Sequence, residues 1–308
     1  MHISVMLRIL ILIPLTFIIC TLNAQQVADS SYNPAIMHPE YSSGKGPVVF
    51  IDSGHHNFHT RDGRYKPFAS LLERDGYVVK DYSGTFTEDE LMKGKILVIS
   101  NALNEVNVDT WALPTPSAFT KTEIEQVKQW IQNGGSLFLI ADHMPMAGAA
   151  TELAAAFGFQ FTNGFVKHDK TEGTGFFSKS DSSLAKCIIT NGRNSNEVID
   201  QIVTFTGQAF RIPVEATSVL TFDDHYTNLL PDTAWVFTDR TQKSTVKGWS
   251  QGAYRTFGKG RVVVFGEAAM FSAQLAGEKK NKMGMNDDRA SQNYKLLLNI
   301  IHWLDGKL

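Results

Sequence analysis

Cysteine is nearly missing from this chain: Cys20 and Cys187 are the two in 308 residues. That excludes a disulfide-stapled scaffold and a zinc site built on cysteine pairs. Cys187 lies in the apolar stretch LAKCIIT and reads as a small buried hydrophobe, not a catalytic thiol. Surplus basic charge is missing too. Twenty-nine Lys and Arg face 31 Asp and Glu, for a net charge of −2, and the lysine run EKKNK at 278–282 reads as a solvated loop. Nucleic acid is therefore not an expected partner. The sequence lacks G-x-G-x-x-G, the phosphate loop G-x-x-x-x-G-K-[ST] and H-E-x-x-H. Dinucleotide binding, nucleotide hydrolysis and the zincin site are each disfavoured.

No apolar run is long enough for a confident membrane span. The longest candidate, 9–20, is broken by Pro14 and Thr16 and follows the basic Arg8. With Leu22-Asn23-Ala24 behind it, the pattern is that of a signal peptide over 1–24, with a mature chain from Gln25. The expected location is periplasmic or extracellular, with no transmembrane segment in the mature chain. Residues 25–46 carry Asn, Ser, Pro and Tyr without periodicity and read as an N-terminal arm, poorly ordered or draped on the surface.

What is present is a set of short apolar runs separated by helical patterns. Val48, Val49, Phe50 and Ile51 form a strand that stops at Asp52. Further strands are expected at 77–80, at 95–100 (KILVIS), at 136–141 (SLFLIA) and at 261–265 (RVVVF). Between them, Tyr65, Phe68, Leu71 and Leu72 mark a helix stopped by Gly76. Thr120 and Glu123 form a capping box ahead of a helix with Ile124, Val127 and Ile131 inside. Residues 148–157 suggest a helix of small residues, and Tyr294, Leu297, Leu298, Ile301 and Leu304 suggest a C-terminal one. This alternation predicts an α/β fold with a mostly parallel sheet covered by helices on both faces. The stretch 159–259 is richer in Thr, Ser, Asn and Gly, with β-like runs at 218–222, 234–238 and 253–257. It reads as a β-rich insertion within a single domain spanning 47–308.

The strands end in polar groups. The first delivers Asp52 and a loop with His55, His56 and His59; the third delivers Ser100 and Asn101; the fourth Asp142 and His143; the last Glu267. In an open parallel sheet such ends sit side by side, where ligands bind. Imidazole with carboxylate is the ligand set of a first-row divalent metal. His55 and His59, four apart, share a face if their loop opens a helix. We therefore expect His55, His59 and Asp52 as metal ligands, zinc first, and Asp142, His143 and Glu267 as acid–base groups. The competing bland reading makes Asp52 the cap of the turn that follows it. His56 is the least expected of the three loop histidines. His168, His225 and His302 have no partner pattern and read as surface or packing residues.

The segments DSGHHNFHT, RYKPFASLLERDGY, IADHMPMAG and GKGRVVVFGEAAMFSAQ resemble a group of uncharacterised secreted bacterial proteins. That group belongs to the class I glutamine amidotransferase-like superfamily, near the domain of gliding-motility transport and intraflagellar-transport proteins. The resemblance implies a flavodoxin-like three-layer sandwich. Glutaminases of the superfamily carry a cysteine on the elbow after a central strand; here that place holds Asp142 and His143, so glutaminase activity is not expected. The group's G-H-N-N-F-H-T loop matches His55 and His59 and has asparagine where His56 stands. The reading that follows is a secreted, hydrolase-like enzyme acting on a carbohydrate or cell-envelope derivative, with a small molecule or glycan as its partner. The alternative is a non-catalytic carbohydrate- or anion-binding domain.

Overall fold

Each of the five apolar runs is a strand in the computed structural model, which describes residues 26–171 and 173–308. The expected signal peptide at 1–24 lies outside the described residues. We label the strands β1 (Val48–Asp52), β2 (Val78–Tyr82), β3 (Ile96–Ser100), β4 (Ser136–Ile140), β5 (Ser250–Phe257) and β6 (Gly260–Phe265). The helices are α1 (Lys66–Arg74), α2 (Lys121–Gln132), α3 (Met146–Ala155) and α4 (Asn293–Asp305). The main sheet runs β2-β1-β3-β4-β6 with all neighbours parallel, and β5 then pairs antiparallel with β6. The protein is thus mixed α/β, with a large sheet whose centre is parallel.

Period-two alternation divides the central strands between two cores. Val49, Ile51, Ile96, Val98, Phe138, Ile140, Val263 and Phe265 face one side, with Phe68, Leu71 and Leu72 of α1 and Leu297 and Ile301 of α4. Phe50, Leu97, Ile99, Leu137, Leu139, Val262 and Val264 face the other, with Ile124, Val127, Trp130 and Ile131 of α2 and Leu153 of α3. Strands covered on both faces have no solvent side, which is why they read as unbroken apolar runs. Gly76 closes α1 at φ +94, and a Cβ there would meet the Tyr41 carbonyl oxygen at 2.2 Å. Both the turn and the close approach of residue 41 require glycine.

The insertion extends one sheet edge. Thr217–Thr221 and Phe210–Arg211 pair with β5, and Gln160–Phe161 pairs with Phe210–Arg211. A separate antiparallel sheet joins Phe165–His168, Tyr226–Leu230 and Gln242–Thr245. Two expectations need correction. The run at 234–238 is not a strand but a turn carrying Trp235 at φ +66: Trp235 meets His143 and Phe165, Val236 is exposed, and among the described residues the segment pairs with no strand. The N-terminal arm is tied down at its start: Gln26–Ala28 pairs antiparallel with Ala273–Ala276, which in turn pairs with Asn281–Gly284. Backbone hydrogen bonding needs no side-chain pattern, so the arm's lack of periodicity concealed this strand.

Candidate functional site

The strand order reverses at β1, with β2 on one side and β3 on the other, and the chain leaves β1, β3 and β4 at the same edge of the sheet. A cavity of ≈ 240 Å³ lies there. His59 enters it from the loop after β1, Asn101 from the end of β3, and Asp142 and His143 from the end of β4. Trp111 comes from the loop at 101–117, Thr206 and Trp235 from the insertion, and Gln274 from the small sheet that holds the arm. The polar strand ends therefore meet, as the alternation of elements implied, although only part of the expected set faces the cavity.

His55 and Asp52 do not. The loop from 53 to 60 is irregular, so the four-residue spacing places His55 and His59 on no common helical face. The Nδ1 of His55 lies 2.9 Å from Asp52 Oδ1, and its Nε2 lies 3.0 Å from Glu123 Oε1. Its ring is held between Phe86 and Phe119. Burial works against a charged imidazole here, but the hydrogen bonds and charges of Asp52 and Glu123 outweigh it and raise the His55 pKa. Glu123 answers in the opposite direction. Burial would raise its carboxyl, but hydrogen bonds from the Thr120 backbone and from His55 hold it below its ordinary value. Both ring nitrogens of His55 are thus committed to carboxylates. Asp52 also accepts from the Gly54 amide at 3.1 Å and from Asn57 at 2.9 Å, the turn-capping role weighed for it. Among the described residues, no group of three or more His, Cys, Asp or Glu is arranged to hold a metal ion. The expected metal trio is thereby divided: His55 and Asp52 stand behind the site as a strut from β1 to the α2 capping box, and His59 alone lines the cavity. His56 is exposed, at φ 49.

Asn101 organises what does line it. It ends β3 in the left-handed region at φ 49, which asparagine tolerates better than most residues. Its Oδ1 accepts the Asp142 amide at 2.8 Å, so its Nδ2 faces His59 and donates to Nδ1 at 3.3 Å. Its carbonyl also accepts the Phe58 amide. Burial, with a smaller contribution from the Arg64 charge, pushes the His59 pKa down to about 3. His59 is therefore neutral, with its proton on Nε2, and that buried atom has no hydrogen-bond partner.

His143 stacks on Phe165 with ring centres 4.1 Å apart and meets Trp235 edge to face at 4.7 Å. Its Nδ1 donates to the Met144 carbonyl at 2.7 Å. That bond leaves Nε2 as an acceptor 4.0 Å from Asp142 Oδ1. Glu267 is fully buried, and its carboxylate accepts the amides of Ala269 at 2.6 Å and Met270 at 2.9 Å. Burial, then the Asp142 charge, raises its pKa well above the carboxylate range. It caps the turn after β6 and does not line the cavity.

Three non-glycine residues with positive φ line this one cavity: Asn101, Thr206 at φ 81 and Trp235 at φ 66. For a β-branched and a bulky residue this is a strained conformation, costing about 1–3 kcal/mol each, and such strain concentrates at ligand sites. Trp111, Thr206, Trp235 and Gln274 were not legible as site residues. Trp111 alone carried a signal, its place in a long loop within a compact fold. The remaining histidines are less solitary than their spacing suggested. His302 Nε2 lies 2.6 Å from the buried Asp75, and His225 Nδ1 lies 3.0 Å from Asp169. Cys187 is buried and free.

No family model matches the chain, and no curated protein matches it. Solved structures do. The mmIFT52 N-terminal domain superposes with a TM-score of 0.57 at 14% identity, covering 83% of this chain and 96% of that one. A putative ThuA-like protein from Bacteroides uniformis gives 0.47 at 12% identity over 89% and 95% of the two chains. A putative GMP synthase protein from Thermoplasma acidophilum gives 0.43 at 11% identity over 84% and 94%. The first of these likenesses extends to the fold alone.

Proposed function

We propose that this chain is a secreted or periplasmic, hydrolase-like enzyme of the glutamine amidotransferase-like superfamily, with a flavodoxin-like three-layer core, acting on a carbohydrate or cell-envelope derivative. The strand order β2-β1-β3-β4-β6 supports the core assignment, since it is the order of doubly wound sheets that bind ligands at the switch point. A glutaminase is not proposed, because Asp142 and His143 stand where its cysteine would be. The observation that carries the enzymatic reading is the His143 ring. Its Nδ1 is fixed on the Met144 carbonyl and its Nε2 is free, 4.0 Å from Asp142, in a cavity walled by Trp111 and Trp235.

In this reading His143 Nε2 takes a proton from water or from a ligand hydroxyl, and the Asp142 carboxylate stabilises the imidazolium that forms. A positioned base of this kind contributes roughly 10²- to 10⁴-fold. Tryptophan faces suit the C–H face of a sugar ring, while its hydroxyls reach the polar groups. A divalent ion, zinc first, is an alternative role for Asp142 and His143, in which His143 Nε2 would hold the ion instead of taking the proton; His55 and Asp52 hold each other and are not offered to it.

The experiment is a turnover screen on chromogenic glycosides and acylated sugars, with the wild type beside His143→Gln. Turnover that falls at least about 100-fold in the variant, with substrate affinity kept within a few fold, supports the enzyme. Binding without turnover in either protein moves the site to the second reading, a non-catalytic carbohydrate-binding domain. That reading is favoured by the buried, unpartnered His59 Nε2 in a site whose wall, among the described residues, has no cysteine or serine. Metal analysis of both proteins tests the ion: a stoichiometric metal lost in the variant places it at His143.

A further inference from the structure

Two hydrogen-bond chains, independent of the acid–base pair, fix what the cavity offers its occupant. The first ends at His59. The Asp142 amide needs the Asn101 Oδ1, so the Asn101 amide group must donate to His59 Nδ1, and the His59 proton must sit on Nε2. That Nε2–H is a buried donor without a partner on a side chain that is 3% exposed. The second ends at Gln274. The Ser272 hydroxyl donates to the Ala269 carbonyl at 2.8 Å, so Gln274 Nε2 must donate to Ser272 Oγ at 2.7 Å. Gln274 Oε1 is left as a buried acceptor without a partner on a side chain that is 1% exposed. Both side chains line the same ≈ 240 Å³ cavity. Leaving such atoms unsatisfied is costly, so an occupant that reaches them accepts from one and donates to the other.

Charge narrows the occupant further. Among the described residues the cavity wall holds no Lys or Arg, and it holds the carboxyl of Asp142. The charge of Arg64 reaches His59, but its Nη1 donates to the Phe58 carbonyl at 3.1 Å and its guanidinium lies over the Phe58 ring at 3.7 Å. An anion entering this space would meet a carboxylate with no cation to answer it. A hydroxyl group, by contrast, both donates and accepts, and it is neutral.

We infer that the cavity selects a neutral, hydroxylated ligand over its anionic counterpart, with His59 Nε2–H as the fixed donor and Gln274 Oε1 as the fixed acceptor that determine this choice. The inference rests on the ligand-site reading above and names the ligand's chemistry. It makes His59 and Gln274 specificity residues that no acid–base argument required.

The test uses the mature chain and saturation-transfer NMR with named probes. The neutral set is glucose, galactose, mannose, xylose, cellobiose and maltose; the anionic set is glucuronate, galacturonate and glucose 6-phosphate. We expect at least one neutral saccharide to bind, with the anionic sugars at least tenfold weaker. For that saccharide, His59→Leu and Gln274→Met each weaken binding at least tenfold, while His59→Gln, which keeps an N–H donor, stays within threefold. If His59→Leu does not fold, Gln274→Met and the ¹⁵N shifts of the wild-type imidazole carry the result, the latter reporting a proton on Nε2. Anionic sugars binding as tightly as neutral ones, or a proton on Nδ1, overturn this inference and leave the ligand site standing. Silence from every probe overturns the carbohydrate site itself and this inference with it.

Discussion

Replacing His59 by glutamine should flatten the acid limb of the protein's stability. In the unfolded chain this imidazole titrates near 6.5; in the fold, burial and Arg64 take it down to about 3. The unfolded state therefore binds more protons between those values, and each pH unit of the gap is worth about 1.4 kcal/mol. The sign follows directly. The stabilisation that His59 enjoys as a neutral group is complete above 6.5 and is lost as pH falls towards 3. Over the whole gap that amounts to about 5 kcal/mol, and between about pH 7.5 and about pH 5 it amounts to about 2 kcal/mol. His55 works the other way in the same range, because its folded pKa is raised, so the wild-type profile alone does not isolate His59. The difference between wild type and His59→Gln does. Glutamine can still accept from Asn101, and it does not titrate. Urea denaturation at the two pH values should show the wild type losing about 2 kcal/mol more than the variant. Parallel profiles, differing by less than about 0.5 kcal/mol, would refute the buried, neutral His59 on which the site description depends.

Other predictions concern the supports of the site. Glu123→Ala removes a helix cap and leaves the His55 imidazolium with one carboxylate, so urea denaturation should report a loss of about 3 kcal/mol near neutral pH. Glu123, whose pKa is lowered, contributes above its ordinary 4.5, and His55, whose pKa is raised, contributes fully below its ordinary 6.5. The penalty should therefore be largest between those values, shrinking in acid as Glu123 protonates and in base as His55 loses its proton; a penalty independent of pH would argue against the ion pair. Phe138→Ala opens the centre of one core and should cost about 3–5 kcal/mol, read as a lower denaturation midpoint with unchanged slope. Mass spectrometry of the protein from fractionated export-competent cells should find a first residue of Gln25; cytoplasmic protein with a retained leader would remove secretion from the proposal.

The sequence by itself determined the layering and the edge where the polar strand ends gather. A strand buried on both faces must be apolar throughout, so β1, β3, β4 and β6 were legible from a few residues each, and the polar residue that ends each run marked the sheet edge. The capping box of α2 was legible for the same reason: its bonds lie within one helical turn. Everything that depended on partners distant in the chain was decided by tertiary structure. The spacing of His55 and His59 suggested a shared role, but Glu123, from another element, drew one imidazole into an ion pair, while Asn101 turned the other towards the cavity. Glu267 marked a strand end as clearly as Asp142 did, yet the amides of Ala269 and Met270 made it a cap. Trp235, Thr206 and Gln274 come from stretches without periodicity, and they line the cavity only because the insertion and the small sheet fold against it. Local patterns record which face of an element is dry; they do not record which side chain from a distant segment completes a hydrogen bond there.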